Sequence, residues 1–378
     1  NAPWRVPTNY MFNNFFLYLR KFDWILFSAV LLLVCFGLAE IYSVALGQNT
    51  ADLFKFKKQI FFVVIGLLLL FCFAFFDYHL LRSYSNYFFI LGVAVLSGVL
   101  VFGQTIRGTR GWFDVGGFSL QPVEFIKFIL ILFLARYFSS ASIRINPLKH
   151  ILLTGSGLAI FLVLVLAQPD FGSALILFLL WFVLITLIGL NKKYLLIIVL
   201  IMVMMMTMSW LFFFKTYQKE RILTFLDPSS SSLEQGYNIT QAIIAVGSGG
   251  ITGRGLGFGF QSQLKFLPEA QTDFIFAVVS EESGFIGVFL VLLFFAIFFY
   301  RCLYHLRRIN NDFGIFFILG VMCLIFIEMF INIGMNIGIL PVVGIALPFL
   351  SYGGSAMISS LMLVGVIESI IIRSKINY

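Results

Sequence analysis

Long apolar runs dominate the chain, at about 24–46, 59–76, 84–102, 122–138, 149–167, 171–189, 194–214, 273–299, 313–337 and 346–371. Each is long enough to cross a hydrocarbon core roughly 30 Å thick as a helix. A helix is also the element that satisfies its own backbone there. Polar residues gather between the runs. The pattern predicts an all-α integral membrane protein of about ten transmembrane helices, one polytopic domain over 1–378, with one large extracytoplasmic loop at 215–272 between helices 7 and 8.

That loop is longer than a simple connection needs, and loops of such length are functional or disordered. Tyr217, Phe225, Leu226, Tyr237, Ile243, Phe258, Phe260, Phe266 and Leu267 make it too apolar for a free linker. It is expected to fold back on the membrane surface with short helices near 218–226 and 237–247. Ser229 to Ser232 alone reads as flexible.

Composition supports the membrane reading. Hydrophobic residues make up 61% and charged residues 11%, against roughly 45–50% and 25% in soluble domains. No soluble fold could hide this much apolar surface. The net charge of +8 is scattered between apolar runs, with no basic stretch for nucleic acid, so it reads as a topology signal with a possible anionic lipid site. Placing the N-terminus inside puts most Lys and Arg in the cytoplasm. Of those left outside, Lys215, Lys219, Arg221, Arg254 and Lys265 share the long loop, where the rule loses force. Both termini then face the cytoplasm. Cys35, Cys72, Cys302 and Cys323 read as small hydrophobes, His79, His150 and His305 share no ligand spacing, and no cleavable signal peptide is expected.

The chemistry-bearing residues cluster at the predicted outer ends of the spans. Asp273 stands where the chain enters the eighth span. It reads either as a helix cap, stabilised by the helix dipole, or as a general base able to deprotonate a sugar hydroxyl. Periodicity alone favours the cap. Glu269 lies four residues before it, and Glu281 and Glu282 follow about 12 Å deeper by helix rise. Ionisable groups at that depth mark a tightly paired or functional site. Glu124 and Lys127 stand at i,i+3 and can pair on one helix face, as a buried salt bridge or as part of a substrate groove. Arg107, Arg110 and Trp112 precede them in a glycine-rich polar loop. Guanidinium groups there suit a pyrophosphate. Asp170 in Gln168-Pro169-Asp170 reads as a turn and cap. The run Gly247–Gly259 matches no nucleotide-binding loop and reads as close backbone approach. Asn332 and Asn336 share a helical face, read as helix packing or as a wall of a cavity, and lead into Leu347-Pro348-Phe349-Leu350-Ser351-Tyr352-Gly353-Gly354-Ser355.

Taken together, these strings resemble the SEDS family of polytopic membrane glycosyltransferases (RodA, FtsW, SpoVE), across essentially the whole chain. The resemblance rests on Gln121-Pro122-x-Glu124-x-x-Lys127, Gln168-Pro169-Asp170-x-Gly172 and Ala245–Gly250. Phe266-Leu267-Pro268-Glu269 with Thr272–Phe276, and Leu347–Ser355, complete it in the family's order. Tyr217–Arg221 with Phe225–Pro228, and Gln261–Leu264, are more similar to RodA than to FtsW. The chain departs from the pattern at Gly111-Trp112, where the family shows Arg-Trp, and at Val123, Gln271 and Lys265, where Ser, His and an acidic residue are common.

The resemblance implies a peptidoglycan glycosyltransferase of the bacterial cytoplasmic membrane that polymerises lipid II for cell-wall elongation and cell shape, with an extracytoplasmic active site. It maps the family's essential aspartate to Asp273, as base and as a tentative ligand for a divalent cation (Mg or Mn), with no nucleotide. Arg107, Arg110, Trp112, Glu124, Lys127, Arg221, Arg254, Glu269, Glu281 and Ser351 are the expected substrate-binding residues. Expected partners are lipid II, a class B penicillin-binding protein and other elongation-complex membrane proteins. A lipid II flippase or transporter, an FtsW-like division polymerase and an inactive scaffold are the alternatives. Lys127 is the one basic residue placed well inside a span, which favours chemistry at the surface over a charged path across the membrane.

Overall fold

The computed structural model describes residues 18–46, 50–106, 108–140, 147–188, 192–208, 219 and 234–376. Helices α1 (Trp24–Leu46), α2 (Thr50–Phe75) and α3 (Tyr78–Phe102) open the bundle. Next come α4 (Pro122–Phe138), α5 (Pro147–Ala167), α6 (Phe171–Leu187), α7 (Lys192–Met208), α8 (Glu234–Ser248) and the single-turn α9 (Phe260–Gln263). The chain closes with α10 (Ile275–Leu306), α11 (Asp312–Asn336) and α12 (Gly354–Ile376). Seven of these are long and apolar enough to cross a membrane, and α6 is a shorter apolar helix. The helix expected near 237–247 is α8. The one expected near 218–226 lies almost wholly outside the described residues, as does Ser229 to Ser232.

Two expectations need correction. The polar segment after α3 is not a plain loop but a small antiparallel sheet of β1 (Gln104–Ile106), β2 (Thr109–Val115) and β3 (Phe118–Leu120), in that order. Gly108, Gly116 and Gly117 take positive φ at its turns, as tight hairpins require. Its strands are too short for hydropathy to reveal. The second span begins earlier than its apolar run, because Lys55, Lys57 and Lys58 interrupt hydropathy without interrupting the helix.

α12 is the central post. It is the most enclosed of the long helices, and small residues let its neighbours approach. A Cβ on Gly365 would strike the Leu70 backbone, and one on Gly66 would strike Leu361. Outward side chains such as Leu68, Ile90, Leu152, Val163, Phe289 and Phe330 are exposed and apolar, as a lipid face demands. At the end bearing the described termini, Asp23 caps α1 through Leu26 N–H and accepts from Arg301 (2.9 Å) and His305 (2.6 Å) of α10. Its own N–H donates to Glu368 of α12. Burial raises the Asp23 carboxyl, but the His305 and Arg301 hydrogen bonds outweigh it and hold the group at about 2.

α10 is broken inside. Gly284 has φ 64° and ψ −161°, which leaves backbone groups without helical partners. The glycine-rich run supplies them. Arg254 and Gly255 N–H donate to Glu281 and Glu282 carbonyls (3.0 and 2.9 Å), and Phe285 and Ile286 N–H donate to Gly250 and Ile251 carbonyls (2.9 and 3.1 Å). Irregular backbone at membrane depth survives only when protein satisfies it in this way. The Glu281 carboxylate accepts from Gln261 and Ser262 N–H. That of Glu282 accepts from Ser43, Gly257 N–H, Ser262 and Gln263. Both acids therefore tie 254–263 to α10.

Gly253 has φ 77°, and a Cβ there would collide with the Glu282 carbonyl and Gly284 nitrogen. Gly253→Ala is expected to cost at least about 2 kcal/mol. Thermal unfolding in detergent should show a lowered midpoint, and limited trypsin digestion should cut faster after Arg254 and Lys265.

Candidate active site

Opposite the Asp23 end, the helices open into irregular segments that converge. The stretch 264–274 leads into α10. Leu267, Ala270 and Phe274 anchor it against Val44, Ala242, Ala245, Ala277 and Val278. Lys265 and Glu269 take positive φ, a conformation that costs non-glycine residues about 1–3 kcal/mol each and persists only where the surroundings enforce it. The second stretch, 337–353, joins α11 to α12, and Phe349 is strained in the same sense.

Side chains stitch these two stretches together. Ser351 donates to the Thr272 carbonyl (2.6 Å) and accepts from Leu347 N–H. Tyr352 N–H donates to the Gln271 carbonyl (2.8 Å). Gln59 from α2 donates to the Ser351 carbonyl and accepts from Gly353 N–H. Asn332 and Asn336 each donate to the Asp273 carbonyl at 3.0 Å. Asn332 also donates to the Ile345 carbonyl at 2.7 Å. This brings Gly344 against the Asp273 side chain, where a Cβ would lie 3.5 Å from Oδ2. Phe274 takes the cap position of α10, and Asp273 stands one residue ahead of it. Asp273 is partly exposed.

The connection 168–173 forms the facing wall. Asp170 caps α6 by accepting from Ser173 N–H and Oγ, and it also accepts from Gln121. Gln121 N–H donates to Ser355 of α12. A Cβ on Gly172 would meet the Val343 carbonyl, so this wall touches the stretch that carries Gly344. Arg110 N–H donates to the Gln168 carbonyl, docking β2 beside it.

The sequence-predicted cations separate into distinct environments. Lys127, buried, pairs with Glu124 at 2.8 Å and Glu328 of α11 at 2.6 Å. Arg110 is exposed, yet its guanidinium donates to Gly103 and Val101 carbonyls at the end of α3. Arg254 is exposed and lies over the Phe260 ring at 4.8 Å, beside a groove lined by Phe258, Phe260, Gln263 and Leu264. Trp112 is half-buried in β2. Glu269 accepts from Thr272 at 3.1 Å. Glu281 is fully buried against the 261–262 backbone. Arg107 and Arg221 lie outside the described residues. Among the described residues no group of three or more His, Cys, Asp or Glu could cage a metal ion. Asp273 offers one carboxylate, which fits Mg²⁺ when substrate phosphates and water complete its octahedron.

The profile of a cell cycle protein family, FtsW/RodA/SpoVE, matches residues 23–376. The chain belongs to this family. It is 35% identical over 346 residues to the peptidoglycan glycosyltransferase MrdB of Escherichia coli K12, covering 90% of this chain and 91% of that protein. It is similar to a solved chain described under "Structural coordination of polymerization and crosslinking by a peptidoglycan synthase complex", with a TM-score of 0.78, 28% identity and coverage of 93% and 98%. The rod shape determining protein RodA of Thermus thermophilus superposes with a TM-score of 0.68 at 25% identity, covering 94% and 98%.

Against the FtsW/RodA/SpoVE background, sequence reading missed Glu328, Gln59 and Ser43. Glu328 carried a usable signal, being the one acid in the apolar run 313–337. Such a group needs a partner, and Lys127 was the one cation in reach of a span interior. Gln59 and Ser43 carried none, because neutral polar residues are common in membrane helices.

Lys127 sits between a buried Glu328 and a partly buried Glu124. Lys127→Met should destabilise the protein by about 3–5 kcal/mol by leaving unpaired carboxylates. Adding Glu124→Gln and Glu328→Gln should restore most of that loss, read as the thermal midpoint in detergent.

Proposed function

We infer that this chain is a peptidoglycan glycosyltransferase that polymerises lipid II into glycan strands for cell-wall elongation. The name of MrdB, at 35% identity over nine-tenths of both chains, supports the activity. The convergence of 264–274, 337–353 and 168–173 on a partly exposed Asp273 is the observation that carries the site. The similarity to RodA favours the elongation role.

In this reading Asp273 accepts the proton of the acceptor GlcNAc 4-hydroxyl. The freed oxygen attacks the anomeric carbon of the donor MurNAc, the bond to pyrophosphate breaks, and undecaprenyl pyrophosphate departs. Configuration inverts, giving a β-1,4 linkage without a covalent enzyme intermediate. Of the three described cations expected to meet the pyrophosphate, Lys127 and Arg110 are engaged by glutamates and carbonyls, which leaves Arg254 as the candidate. Arg107 and Arg221 are further candidates. A divalent cation held by Asp273 and the pyrophosphate would neutralise charge on the leaving group.

The apolar runs imply ten spans, with both termini cytoplasmic and the Asp273 end outside. A class B penicillin-binding protein is the proposed partner, in keeping with the synthase complex to which the fold is similar. A transporter would need a chain of cations through the bundle. Lys127, the described cation deepest in α4, is instead held in an ion-pair network.

Strand synthesis from labelled lipid II, with and without the class B partner and Mg²⁺, tests the reading. Wild type should make polymer, and Asp273→Asn should lose at least ~100-fold at equal folded amounts. Polymer from both would remove Asp273 from the chemistry. Movement of lipid II between leaflets without polymer would put transport first.

A further inference from the structure

Asn336 sits in an unusual place in the hydrogen-bond ladder of α10. In a continuous helix the Ala277 N–H would bond the Asp273 carbonyl four residues back. Here Ala277 N–H donates instead to the Phe274 carbonyl and to Asn336 Oδ1 at 3.1 Å. The Asp273 carbonyl accepts from Asn336 Nδ2 at 3.0 Å. The side-chain amide thus bridges a donor in the first turn of α10 to the Asp273 carbonyl just ahead of the Phe274 cap. It satisfies polar groups that a helix start leaves without helical partners.

Asn332, one turn earlier on the same face of α11, completes the arrangement. Its Nδ2 donates to both the Asp273 and the Ile345 carbonyls, while its own carbonyl accepts from Asn336 Nδ2 at 2.8 Å. Both asparagines are fully buried. Their donors fix the Asp273 peptide from behind and set its separation from 343–345, the stretch its side chain faces. The pair is buried and touches the proposed site through the Asp273 and Ile345 carbonyls.

We propose that Asn332 and Asn336 are positioning residues for Asp273, fixing its peptide just ahead of the first turn of α10 so that the carboxylate points at the acceptor hydroxyl. This rests on the reading of Asp273 as the general base. Misplacement of a reacting group by about 1 Å can cost ~100-fold in rate. A role confined to folding would lower the amount of folded protein and leave the turnover of each folded molecule alone.

The test is steady-state polymerisation of lipid II by the full chain with its class B partner, for Asn332→Leu, Asn336→Leu and Asp273→Asn, normalised to folded protein by size-exclusion chromatography. The expected result is a fall in kcat of ~10–100-fold in each asparagine variant, KM for lipid II within about threefold, and a displaced acid limb of the pH–rate profile. Wild-type kcat in both asparagine variants, with Asp273→Asn inactive, overturns the positioning role and leaves the base standing. Activity in Asp273→Asn overturns the base and the positioning role together. If a leucine variant does not fold, Asn336→Ser, whose hydroxyl is too short to span from Ala277 to Asp273, carries the same readout. Unchanged kcat there also overturns the proposal.

Discussion

Breaking a helix inside a lipid-embedded bundle leaves amide and carbonyl groups that water cannot reach, and each must find a partner in the protein. The loop end of this chain is built around that demand. The break at Gly284 is answered by the backbone of 250–255. The opening ahead of α10 is answered by the Asn332 and Asn336 carboxamides. The irregular 337–353 stretch is answered by Ser351, Gln59 and the Gln271 carbonyl. Irregular backbone carries exposed functional groups, and here buried side chains keep it fixed.

A rigid frame of this kind suits a reaction that needs little motion at the attacking group. A carboxylate whose peptide is held on two sides loses little orientation when substrate binds, which is the condition for electrostatic preorganisation. The strained Lys265, Glu269 and Phe349 lie in the same stretches, so the local conformational cost sits where the proposed chemistry sits. The Lys127–Glu124–Glu328 network ties α4 to α11 beneath, and α11 carries both asparagines.

Much of this was legible in the sequence. Apolar runs located the long helices because twenty-odd residues with few charges have few other fates. Asp170 as a cap and the helix near 237–247 followed from local rules. The small sheet was not legible, because three-residue strands in a polar, glycine-rich stretch leave no periodicity. Asp273 was ambiguous between cap and base, since both want a carboxylate just ahead of a helix. In the structure Phe274 takes the cap position and Asp273 lies one residue ahead of it, partly exposed. Glu281 and Glu282 looked alike in sequence to any intramembrane acid. Their role in tying down 254–263 depends on a helix break at Gly284 that a glycine in an apolar run does not announce.

The central claim is that glycosyl transfer takes place where 264–274, 337–353 and 168–173 meet. Photocrosslinking with a lipid II analogue bearing the reactive group on its MurNAc sugar, followed by peptide mapping, tests it directly. Labelled peptides should come from 268–274, 341–352 and 168–173, and unlabelled lipid II should compete the signal away. Competable labelling confined to the Asp23, Arg301 and His305 end would contradict the account.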